Sequence, residues 1–180
     1  MLKNLREITL FEEILESGSS LRVKVTGRSM APFLRGGEIV TLKKEPHDAL
    51  RKGDLIFFKD NRGTPFLHRI IKKTKSHDEK ITFRTKGDAL IAFDEPVQYQ
   101  KVLGKVSRIE KFDSGSGSKC INMESFQWRT INAIIARISL LRSYGYYAIF
   151  RLKGFRIASC GLRAASCGLR VTSFGFRKNK

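Results

Sequence analysis

Between Leu21 and Glu110 turn-forming residues divide the chain into short strand-like runs, and this restricts the fold more than any other feature. "LRVKV" alternates apolar and polar residues strictly, and "EIVTL", "DLIFF", "FLHRII", "KITFRT" and "KVLGKVSRI" are short apolar or alternating runs. A period of two places one face of a strand against a core. The runs are separated by Gly36-Gly37, Gly53-Asp54, Asn61-Arg62-Gly63 and Gly87-Asp88. Glycine reaches positive φ without steric cost, and Asn and Asp side chains bond their own backbone in turns. Many short strands with no long helical pattern predict a compact, mainly β domain over residues 21–111, too short for two cores.

The flanks differ. In residues 1–20, Thr9 and Glu12 have capping-box spacing, and Leu10, Phe11, Ile14 and Leu15 share a face, so a short amphipathic helix ending at Gly18 is expected. The apolar runs here are too short for a signal peptide or a spanning helix, which leads to the expectation of a cytoplasmic or peripherally membrane-bound protein. "FDSGSGSK" (112–119) reads as a flexible linker. Within 120–152, Trp128, Ile131, Ile134, Ile135, Ile138 and Leu141 follow helical spacing and predict a helix over 125–143. Arg129, Arg137 and Arg142 interrupt it too often for a bilayer span. Two placements of its apolar face stay open, against the β domain or on a membrane surface.

Residues 153–180 are a low-complexity tail. "IASCGLR", "AASCGLR" and "VTSFGFR" are consecutive seven-residue copies at 157–163, 164–170 and 171–177. Glycine in each copy and the serines argue against a stable helix, and three copies are too few for a solenoid. The net charge of +18 over 180 residues is unevenly spread: residues 1–110 hold 22 Lys/Arg against 15 Asp/Glu, and residues 111–180 hold 13 against 2. Such a basic end segment suits an anionic surface, with a peripheral anionic membrane expected rather than nucleic acid. All three cysteines (Cys120, Cys160, Cys167) lie in this segment. No disulfide or Cys-ligated metal therefore holds the β domain, and no cofactor is expected. Two tail cysteines without a nearby histidine are a poor zinc set.

In "TGRSMAPFLRGGEIV" (26–40), turns explain the glycines and a strand explains Ile39 and Val40, but neither requires Ser29. A serine hydroxyl becomes a nucleophile only with a general base within reach and donors for the oxyanion. Of the three histidines, His47 and His77 sit in polar loop contexts, whereas His68 lies in the apolar run "FLHRII".

The motifs fall in a fixed order: "GRSMAPFLRGGEIV", "RKGDLIFF", "FLHRII", "RTKGDALIAFDEPV" and "VLGKVSRI". This series resembles type I signal peptidases and the wider serine peptidase group that includes LexA-like repressors. It covers about residues 21–110, and the five pieces together are far more specific than any one. The resemblance implies the compact β fold of that group and a Ser-His site of its archaeal and endoplasmic-reticulum subtype, with His68-Arg69 where other members have lysine. It implies Ser29 as nucleophile and His68 as general base. Asp94, six residues beyond Asp88, would orient the histidine, and Asp88 would be accessory or structural.

Histidine titrates near about pH 6.5 and can take and return a proton, while a carboxylate on its other nitrogen fixes the tautomer. Gly27 would let the chain turn and present the Ser29 backbone N–H to an oxyanion. Gly27 stands where many members of the group carry a serine donor, so Thr26 or another backbone amide would supply the second hydrogen bond. Met30 beneath the serine and Pro32 at the exit of the turn are the candidate substrate-side residues. Arg28 and Arg69 are each expected to be solvated or paired with a carboxylate.

The expected activity is cleavage of a precursor or leader polypeptide. Two alternatives are a LexA-like self-cleaving regulator and a non-catalytic basic module that binds anionic membrane or nucleic acid. The first lacks the basic lysine, an Ala-Gly cleavage site and room for a helix-turn-helix. For the second, the charge lies away from the motif series.

Overall fold

In the computed structural model the described residues are 2–76, 79–113 and 117–152. They form an antiparallel sheet flanked by two helices. Helix α1 (Leu2–Glu16) is followed by strands β1 (Leu21–Lys24), β2 (Ile39–Lys43), β3 (Leu55–Lys59), β4 (Pro65–Lys75), β5 (Ile81–Lys86), β6 (Val97–Gln98), β7 (Val102–Asp113) and β8 (Gly117–Asn122), then helix α2 (Phe126–Leu152). The order across the sheet is β1-β2-β7-β3-β4-β5-β6, with β8 also paired to β7. This mainly β architecture with a short N-terminal and a longer C-terminal helix is consistent with a signal-peptidase-like β fold.

Strand β3 explains how the core is built. Its residues "LIFF" are all buried, and they alternate between two apolar clusters. Leu55 and Phe57 join Leu67, Leu103 and the α1 residues Phe11 and Leu15, whereas Ile56 and Phe58 join Ile70, Phe83 and Val102. A strand covered on both faces reads as a continuous apolar run, because its period of two feeds opposite sides of the sheet. Strand β7 is the hub. Its first part pairs with β3, its middle with β2 and its end with β8.

Three features differ from expectation. Helix α1 begins at Leu2, so Thr9 and Glu12 lie within it and do not cap it. Leu2, Leu5, Arg6 and Glu7 are good helix formers, and once a helix is nucleated each further residue adds a hydrogen bond. Its end matches the reading: Gly18 has φ +79° and its N–H bonds the Leu15 carbonyl. The stretch 112–119 is occupied at both ends by strand, since Phe112 pairs with Ser118 and Asp113 with Gly117. Its glycine and serine suit a hairpin connection as well as a linker, and Gly117 has φ +80°.

The third difference concerns α2. The large apolar residues of its predicted face do not all turn toward the sheet. Asn132, Ala136, Ser139 and Ser143 are buried against the domain, while Ile131, Ile134, Ile138 and Leu141 are exposed. Of the predicted face, Trp128 packs inward together with Phe33, their rings 6.0 Å apart, and Ile135 is half-buried. The cause is what the domain presents to the helix. The buried cations of Arg69 and Lys86 need oxygen acceptors, and Asn132 and Ser139 supply them. The repeat copies, with Cys160 and Cys167, lie outside the described residues, as does His77.

Candidate active site

The loop between β1 and β2 carries Ser29. Its base is closed by the Val25 N–H on the Glu38 carbonyl and the Gly37 N–H on the Val25 carbonyl. Gly36 and Gly37 both take positive φ, and a side chain on Gly36 would meet the Thr26 carbonyl oxygen at 3.3 Å. The conformational demand for glycine in this loop therefore falls on that pair. The Glu38 carboxylate accepts from the backbone N–H groups of Arg35 and Gly36. Met30 and Leu34, both buried, hold the loop from inside. Met30 thus belongs to the core under the serine and has no surface for a substrate, a correction to its place among the substrate-side residues. Pro32 is exposed on the loop, and Thr26 and Gly27 are half-buried at its start.

On β4, successive side chains point to opposite faces. His68 lies opposite Ile56 and turns toward Phe58 and Phe66, with ring centroids 6.2 and 5.7 Å away. Arg69 turns to the other face, over the Phe33 ring and against α2. His68 Nε2 lies 3.1 Å from Ser29 Oγ, and His68 Nδ1 lies 2.7 Å from Asp94 Oδ2. A carboxylate only accepts, so the Nδ1–H donates to Asp94 and Nε2 is left to accept from the serine hydroxyl. Ser29 is 8% and His68 3% exposed, which removes most competing water from the pair.

Asp94 is itself held. The Thr85 hydroxyl donates to Asp94 Oδ2 at 2.7 Å, and the Asp94 N–H donates to the Thr85 carbonyl. Thr85 was not among the residues singled out from the sequence; its alternation within β5 marks a buried position but not its partner. Gly87, read from the sequence as a turn glycine, has a second role. A side chain there would come within 2.6 Å of the Ser29 carbonyl oxygen, which accepts from the Ala89 N–H. The turn after β5 and the serine loop are thus joined backbone to backbone.

Asp88 has a different setting from Asp94. It makes a bidentate pair with Arg69, Nε to Oδ1 at 2.8 Å and Nη2 to Oδ2 at 2.7 Å. Arg69 Nη1 donates to the Gly53 carbonyl and to Asn132 Oδ1, so the guanidinium is fully buried and ties β4, the Gly53 turn and α2 together. Arg28 is exposed. Beside this pair Lys86 is buried with its ammonium on the hydroxyl and carbonyl of Ser139. Burial, and then the nearby Arg142, hold Lys86 below the ordinary lysine range, while Asp88 and Asp94 act in the opposite direction.

No protein-family model matches the chain. It is 34% identical over 76 residues to the dog and human proteins "Signal peptidase complex catalytic subunit SEC11C", 42% of this chain and 40% of each relative. It is 39% identical over 88 residues to "Signal peptidase I W" of Bacillus subtilis, 47% of this chain and 45% of that protein. The chain thus spans less than half the length of these curated relatives, and over that part it is similar to signal peptidases.

Proposed function

We propose that this protein is a serine endopeptidase of the signal peptidase I type that cleaves a precursor or leader peptide. The observation that carries the reading is the unbroken chain Ser29–His68–Asp94, with 3.1 and 2.7 Å between successive groups. The similarity to signal peptidases supports the choice of a polypeptide substrate.

In this reading Ser29 Oγ attacks the scissile carbonyl carbon while its proton passes to His68 Nε2. Asp94 accepts from Nδ1–H and stabilises the imidazolium, and Thr85 keeps the carboxylate oriented. Collapse of the tetrahedral intermediate breaks the C–N bond, and His68 returns the proton to the leaving amine. Water, deprotonated by His68, then attacks the acyl carbon; the C–Oγ bond breaks, the carboxylic product leaves, and His68 returns the proton to Ser29 Oγ. The Ser29 backbone N–H is one candidate donor to the oxyanion. Asp88 acts on structure through Arg69.

The test uses the purified full chain beside Ser29→Ala and His68→Ala variants, with a library of peptides bearing small residues and cleavage followed by mass spectrometry. Cleavage should fall by about 10⁴-fold or more in both variants while their folded spectra are unchanged. Equal cleavage by wild type and Ser29→Ala would refute the reading.

A further inference from the structure

Helix α2 is assembled with its polar side inward. The buried positions Asn132, Ala136, Ser139 and Ser143 recur at i, i+4, i+7 and i+11, and the exposed Ile131, Ile134, Ile138 and Leu141 at i, i+3, i+7 and i+10. At 3.6 residues per turn these are two stripes on roughly opposite sides of the helix. Ile134, Ile138 and Leu141 are 48%, 59% and 70% exposed. A helix on the surface of a water-soluble domain shows the reverse arrangement.

The contacts on the inner side are specific. Besides Asn132 on Arg69 and Ser139 on Lys86, the Ser143 hydroxyl donates to the Ile91 carbonyl and Arg142 to the Ala89 carbonyl. Gly53 allows the close approach, since a side chain there would lie 2.8 Å from the Asn132 backbone. The outward apolar stripe is therefore a consequence of firm docking and not of a loosely placed helix.

Charge indicates what meets it. From Ser125 to Lys180 there are 11 Lys/Arg and no Asp or Glu. On the helix, Arg137 and Arg142 lie one residue from Ile138 and Leu141, on opposite flanks of the stripe, both exposed and Arg142 with one nitrogen held by the Ala89 carbonyl. Apolar side chains bordered by arginines match the acyl-headgroup boundary of an anionic bilayer, where the stems lie against lipid and the guanidiniums reach phosphate. No described helix is long and apolar enough to cross a membrane, so contact would be along the surface.

We propose that the outer face of α2, centred on Ile134, Ile138 and Leu141, docks on an anionic lipid surface. The helix reaches the turn at Ala89 and Ile91, next to Ser29, so docking would hold the candidate active loop close to the bilayer.

Co-sedimentation of the full chain with vesicles tests this independently of any peptidase activity. Vesicles of phosphatidylcholine with phosphatidylglycerol are compared with phosphatidylcholine alone, for wild type and for an Ile138→Asp/Leu141→Asp double variant. Both substituted residues are exposed, and unchanged circular dichroism and melting would verify the fold. Wild type should partition to the anionic vesicles, and the double variant should bind at least about tenfold less. Unchanged binding by the variant would assign lipid contact to the tail and overturn the proposal, as would no wild-type binding. Light scattering covers the remaining occupant: a wild-type dimer that the double variant dissociates would show that a second copy covers the stripe.

Discussion

Asp88 and Asp94 follow the same "TKG" motif, yet they hold different partners, and substitution should separate them. Asp94→Asn keeps the size of the side chain but replaces the acceptor facing His68 Nδ1–H. Peptide cleavage should fall by about 10³–10⁴-fold with little change in melting temperature. Asp88→Ala leaves the guanidinium of a fully buried arginine without its carboxylate. Denaturant unfolding should show a loss of about 3–5 kcal/mol, the usual result of breaking a buried ion pair from one side. A large stability loss for Asp94→Asn and none for Asp88→Ala would reverse the two assignments. The side chains Ser29, His68 and Asp94 were legible as candidates because motif order survives as plain sequence. Thr85 was not, and Gly87 was legible only as a turn glycine, because their importance to the site lies in what passes beside them: a carboxylate oxygen in one case and the Ser29 carbonyl in the other.

At the scale of elements, the docking of α2 on the sheet depends on a missing side chain. Gly53 has φ +98°, and a Cβ there would lie 2.8–2.9 Å from the α2 backbone at Asn132 and Ala133. Gly53→Ala should push the helix outward and break the Arg69 bond to Asn132. Native-state hydrogen exchange in α2 should accelerate before that in β3 and β7; uniform acceleration across all elements would argue against a local cause. Lys86 gives a second handle on the same contact. Its folded pKa lies below the unfolded value, so the folded state releases this proton first as pH rises. Stability therefore rises with pH in the window between its folded and unfolded pKa values. The melting temperature of Lys86→Met relative to wild type should accordingly fall as pH rises toward 10, the ordinary range of lysine. A pH-independent difference would show that Lys86 titrates normally.

For the molecule as a whole, one packed unit links the candidate active loop, the sheet and α2. Phe33, in the same loop as Ser29, lies with its ring under both Arg69 and Lys111, 5.0 and 4.9 Å from the cationic groups, and beside Trp128 of α2. Burial lowers the Lys111 pKa, with Glu38 opposing, and its ammonium donates to the Phe33 carbonyl. Loss of α2 docking should thus reach Ser29 through Phe33 and through the Ala89–Ser29 bond. In the Gly53→Ala variant, kcat for peptide cleavage should fall together with hydrogen-exchange protection in α2. Unaltered kcat with α2 loosened would make the helix a separate appendage.

Sequence by itself determined strands β1 to β5 and most of β7, their turns and the serine loop, but not β6 or β8. Period-two patterning, paired glycines and motif order are local properties, and the chain has little choice in how to satisfy them. Tertiary structure alone decided the pairing of Arg69 with Asp88, the central place of β7 with β8 beside it, and which side of α2 faces the sheet. Helical spacing marks two faces but not their direction. Here buried cations on the sheet met oxygen acceptors on the polar side of α2, Asn132 for one remaining Arg69 N–H and Ser139 for the Lys86 ammonium, and that side turned inward with Ile134, Ile138 and Leu141 left exposed.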